Sequence, residues 1–81
     1  MHRLKEIEMK IALTIMWMQS KKERWEKIRL ADISEQIGKT SGQISPHCKW
    51  LKHCQIVKHD WKNGWTAGDK AKDYLKHWGV I

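Results

Sequence analysis

A chain of 81 residues, 41% of them apolar, holds one compact core, so a single domain spanning residues 1–81 is expected. Its net charge of +7 favours a polyanionic partner, either nucleic acid or an acidic membrane surface. No apolar run is long enough to span a bilayer and the start shows no signal-peptide core, which points to a cytoplasmic protein whose two Cys are reduced.

From Arg3 to about Ser20 the pattern is helical, with two apolar stripes. Leu4, Ile7, Ile11, Ile15 and Met18 form one, and Met9, Leu13, Met16 and Trp17 the other. A helix of this kind is covered on both sides, either within the monomer or by a second subunit. Residues 20–27 are polar and read as a loop, and residues 28–30 as a very short strand. Ile33 and Ile37 then mark a helix that Gly38 ends in the left-handed conformation. Thr40 or Ser41 caps the next helix, which buries Ile44, Cys48 and Leu51 and runs to about Cys54. Pro46 predicts an irregular first turn over residues 41–45, or a later start with Ser45 as cap. Asn63-Gly64, between two strand-like runs, predicts a hairpin with a type I′ turn and with Trp61 and Trp65 on opposite faces. Thr66 with Asp69 reads as the cap of a last helix that buries Ala71, Tyr74 or Leu75, and Trp78.

The fold class is thus mainly α with a small β-hairpin, in the order α-β-α-α-β-β-α. Three segments carry a resemblance: LADISEQIG at residues 30–38, ISPHCKWLKHCQIVK at 44–58 and WTAGDKAKDYL at 65–75. Together they resemble the winged helix-turn-helix domain of arsenical-repressor-like (ArsR-like) and multiple-antibiotic-resistance-regulator-like (MarR-like) transcriptional regulators. The family pattern has Gly where Gln55 stands, and often a basic or polar side chain where Pro46 stands. The resemblance implies sequence-specific binding of double-stranded DNA, with the helix over residues 41–54 in the major groove and a wing over 58–66 on the backbone or minor groove. It also implies a homodimer through the first and last helices. A winged-helix module that binds protein within a larger complex is the alternative.

Charge agrees with the first reading. Residues 38–65 hold Lys39, Lys49, Lys52, Lys58 and Lys62 against one acid, Asp60. Lysines and a capped helix N-terminus neutralise phosphates and position a domain on a duplex. Lys39, Thr40, Ser41, Gln43, Pro46, His47, Lys49, Trp50, Lys58, Lys62 and Asn63 are therefore the candidate DNA-binding residues. Ser41 and Gln43 are the favoured base readers, since Gln pairs bidentately with adenine. Lys49 and Lys52 taken singly also fit a plain solvated face, Trp50 also fits the edge of the core, and His47 also fits a packed position between helices.

The pairs His47-Cys48 and His53-Cys54 invite a metal reading, but helical spacing opposes it. Residues 48 and 54 point ~120° apart, and 47 and 54 lie ~10 Å apart along the axis. One zinc ion needs its ligands ~2.0–2.3 Å from a common centre. No metal and no cofactor are expected, apart from an intersubunit site using one or two of these residues. The chain has no phosphate-binding Gly loop, nucleophile motif or apolar carboxylate pair, so no enzyme is expected.

Overall fold

The computed structural model describes residues 4–21 and 27–79. Four helices and one two-stranded antiparallel hairpin follow in the order α1 (Glu6–Ser20), α2 (Leu30–Ile37), α3 (Ser41–His53), β1 (Val57–Asp60), β2 (Gly64–Ala67) and α4 (Ala71–His77). Among the described residues, no helix is long and apolar enough to cross a membrane.

Each of the first three helices is started by the same local device. A side chain three residues into the element turns back and accepts the N–H that precedes the helix. Glu8 accepts from Lys5 at 2.9 Å, Asp32 from Arg29 at 2.9 Å and Gln43 from Thr40 at 2.9 Å. The first-turn N–H groups have no partner within a helix, so each bond removes one orphan donor. Only Thr40 reciprocates, its hydroxyl accepting from the Gln43 N–H at 3.2 Å.

α1 is the central element. Ile11, Ala12, Ile15 and Met18 are buried, as is Leu4 just before it, and they meet Ile33 of α2, Ile44, Cys48 and Leu51 of α3, and Ala71, Tyr74 and Leu75 of α4. The second stripe is only half covered: Met9, Leu13 and Met16 pack against the edge of the core, and Trp17 is 45% exposed. Ile7, expected in the first stripe, is also only partly buried. The segment over residues 22–26 and the expected helical turn at Arg3 lie outside the described residues.

The expected strand at residues 28–30 is reduced to one bridge. The Ile28 N–H donates to the Asn63 carbonyl and the Ile28 carbonyl accepts from the Trp65 N–H, a parallel pairing with Gly64. The bond from Arg29 to Asp32 starts α2 at Leu30, which removes the rest of the strand. Gly38 ends α2 at φ 80°, a left-handed conformation that is nearly free of strain for a residue without Cβ.

α3 begins at Ser41 and runs through Pro46, so neither the irregular first turn nor a start at Ser45 is found. Pro46 lacks only the N–H that would have gone to the Gly42 carbonyl, and it lies on the exposed face, while the Thr40 cap and the buried 44–48–51 stripe fix the helix around it. At the far end, Ile56 N–H bonds the Leu51 carbonyl and Gln55 N–H the Lys52 carbonyl, an arrangement that requires a left-handed residue at position 55. Gln55 supplies it at φ 65°, so the chain leaves α3 as a Gly would allow, without the Gly.

The hairpin also departs from expectation. Val57 pairs with Ala67, Lys58 with Thr66, His59 with Trp65 and Asp60 with Gly64, leaving Trp61, Lys62 and Asn63 as a three-residue loop. Asn63 does not adopt positive φ and Gly64 does, at 73°, so the connection is not the type I′ turn but one closed by a left-handed glycine. A Cβ on Gly64 would lie 2.0 Å from the Ile28 carbonyl oxygen, so the bridge itself demands glycine there. Thr66 belongs to β2 and does not cap α4, which begins after Lys70 without a side-chain cap. On the outer side of β2, the Ala67 N–H donates to the Gln19 side chain of α1 at 2.8 Å.

Candidate nucleic-acid interface

α3 presents Ile44, Cys48 and Leu51 to the core, which leaves Gly42, Gln43, Pro46, Lys49, Trp50, Lys52 and His53 on the exposed side. No residue of this helix is acidic. Its first turn therefore keeps the partial positive charge of a helix N-terminus, and Lys39 precedes it on an exposed turn. Trp50, 38% exposed, stacks on His53 with ring centroids 5.9 Å apart. This places Trp50 on the outer surface, beside the lysines.

Four candidates around α3, namely Thr40, Ser41, Gln43 and His47, are held by the protein itself. Gln43 Oε1 and N–H are both engaged with Thr40 in the cap. Ser41 is half buried, and its hydroxyl donates to the Ser34 hydroxyl across the turn at 3.4 Å. His47 is half buried against α1, with Nδ1 3.2 Å from Oε2 of Glu8, a carboxylate that is almost fully buried. Glu8 thus does two things: Oε1 closes the start of α1 and Oε2 fastens α3 to it.

The hairpin differs in electrostatics. Lys58 pairs with Asp69 at 3.0 Å, and the hairpin mixes Lys58 and Lys62 with Asp60, so it is less uniformly positive than α3. Asp60 is structural: Oδ1 accepts the Lys62 N–H at 2.9 Å and the Asn63 N–H at 2.6 Å. The Asn63 backbone donor above all, helped by the Lys62 N–H and the Asn63 side chain, holds the Asp60 carboxyl below its usual range against a smaller opposing effect of desolvation. Lys52 of α3 shares a shallow groove with Lys58, Asp60 and Asp69, so the end of the helix and β1 border one surface. Trp65 packs inward and against His59, with centroids 4.6 Å apart. Trp61 is 83% exposed.

The thiols are separate and unlike. Cys48 is fully buried, and burial pushes its pKa up to about 11. Cys54 is half exposed and raised as well, mainly by desolvation, with Glu8 adding to this and Lys70 opposing it. Among the described residues, no three His, Cys, Asp or Glu side chains converge in a way that could hold a metal ion.

Two features of this surface escaped the reading of the sequence. Thr40-Ser-Gly-Gln43 has the spacing of a capping box, which would have assigned Gln43 to the helix start. Trp61 carried no signal beyond its place in a turn. Comparison of the chain with family models, with curated proteins and with solved structures finds no match.

Proposed function

We propose that this protein binds double-stranded DNA as a small winged helix-turn-helix regulator, with α2 and α3 as the helix pair and the β1–β2 hairpin as the wing. One observation carries the reading: α3 is an exposed helix of 13 residues with no acid, bearing Lys49, Lys52 and His53 outward. The N–H groups that its cap leaves open and Lys39 meet phosphates and set the register, while the exposed side enters the major groove. Because Ser41 and Gln43 are engaged in holding α2 and the cap, base contact falls mainly to Pro46, Lys49 and Trp50. Pro46 offers an apolar ring suited to a thymine methyl group, and Lys49 a donor for guanine O6 or N7.

The half-covered stripe Met9, Leu13, Met16 with Trp17 supports association of two copies through α1, together with α4. Two recognition helices would then read half-sites ~34 Å apart. The same stripe favours the second reading, a winged-helix module that docks on another protein.

Selection of bound duplexes from a random pool tests the proposal. An enriched palindrome supports both DNA reading and a two-fold dimer. Failure to enrich any sequence, with no salt-dependent duplex binding, overturns it. In addition, the double substitution Lys49→Ala with Lys52→Ala is expected to reduce the slope of log affinity against log salt by about 2. An unchanged slope would remove α3 from the interface.

A further inference from the structure

We infer that Trp61 is an apolar wedge that stacks on a nucleobase at a deformable step of duplex DNA, and that the hairpin acts through this indole and not through charge. This rests on the DNA-binding reading above and adds a contact which that reading lacks.

Three observations converge on it. Trp61 is the most exposed large hydrophobic side chain among the described residues, at 83% against 45% for Trp17 and 38% for Trp50. It sits at the start of a loop that is held stiff from both sides. Asp60 gathers the Lys62 and Asn63 N–H groups, and Ile28 grips Asn63 and Trp65 just beyond. An indole on such a base loses little conformational freedom when it binds, because the loop is already ordered.

The third observation is the charge balance. Lys58 is paired with Asp69, and Lys62 follows Asp60 by two residues in the loop. The hairpin's own residues hold two lysines and one acid, and with Lys58 already engaged by Asp69 it has less hold on a phosphate backbone than α3. Its protruding feature is instead a flat aromatic surface, and every base offers a π-face to such a surface. Side chains that enter the minor groove and unstack a step do so as apolar wedges, most easily at flexible pyrimidine–purine steps. The cationic α3, whose Lys52 shares a groove with β1, supplies the electrostatic attraction that brings the indole to the duplex.

Charge and stacking leave different marks on a salt titration. Stacking releases no counterions, so its loss shifts the line of log affinity against log salt without tilting it. The test measures binding of the full chain to a duplex carrying 2-aminopurine at a TA step, by anisotropy over a range of salt. Wild type is compared with Trp61→Ala, Trp61→Phe and Lys49→Ala/Lys52→Ala. Trp61→Ala is expected to weaken binding about tenfold at every salt concentration with the slope unchanged. Trp61→Phe recovers most of the loss. Wild type changes the 2-aminopurine emission on binding, because the stacking of that base is altered, and Trp61→Ala leaves it unchanged.

If wild type binds the duplex in a salt-dependent way and Trp61→Ala binds equally well, the wedge is wrong and the DNA reading stands. A changed slope for Trp61→Ala also overturns the wedge. If wild type shows no salt-dependent binding, both readings fall. Because the side chain is so exposed, the Ala variant keeps the fold, and circular dichroism checks this directly.

Discussion

α3 and the β1–β2 hairpin lie side by side, yet they are specified in opposite ways. The helix is written locally. Its cap, its buried stripe and its left-handed exit all come from residues 40–56. The hairpin takes its shape from Ile28, far away in sequence, and from one carboxylate at its own base. Their charges differ as well, purely positive on the helix and mixed on the hairpin. A neighbouring rod and ribbon therefore respond to different perturbations, and single substitutions can separate them.

The largest effect is expected at the hairpin. Gly64→Ala meets the Ile28 carbonyl and also places a side chain at positive φ, so about 3 kcal/mol of stability should be lost. Chemical denaturation measures it, and a loss under ~1 kcal/mol would mean that the bridge to Ile28 is dispensable.

On the helix, Pro46→Ala restores the N–H that the Gly42 carbonyl lacks and should raise stability by up to about 3 kcal/mol. If DNA contact depends on the proline ring, the more stable variant binds less well, and one preparation gives both readings. Thr40→Ala removes one half of the cap and should cost about 1 kcal/mol. No change would show that Gln43 alone suffices to start α3.

Gln55→Gly relieves the left-handed strain at the helix exit but adds freedom to the unfolded chain, so a net gain of about 0.5 kcal/mol is expected. The smallest effect is the pH dependence of the hairpin loop. The folded Asp60 carboxyl lies below its unfolded value near ~4, so its contribution is complete above that pH and is lost as pH falls through the folded pKa. The Asn63 amide resonance should titrate in that acid window, and Asp60→Ala should abolish the titration.

What could be read in advance divides along the same line. α2 with Gly38, and the 44–48–51 stripe, rest on spacing within one element, and both are found as expected. The turn type was not legible. Asn63-Gly64 suits two different connections, and the choice between them is made by Ile28 and Asp60. Thr66 and Asp69 have the spacing of a cap, but Thr66 pairs with Lys58 across the hairpin and Asp69 binds the Lys58 ammonium. Pairing between strands overrode a local signal that was correct in form. Among the candidate contacts, His47 illustrates the limit: its partner Glu8 lies 39 residues away, beyond the reach of any local pattern.

The outward amides of β2 are both occupied, Trp65 by the Ile28 carbonyl and Ala67 by the Gln19 side chain. That edge has no vacant donor with which to recruit a further strand. The opposite margin, β1, exposes Lys58, His59 and Asp60, whose mixed charges discourage a flat apolar neighbour. Ribbon growth, which needs two open sides, is thus stopped on one flank and fenced on the other, so concentrated solutions of this chain should resist fibril formation.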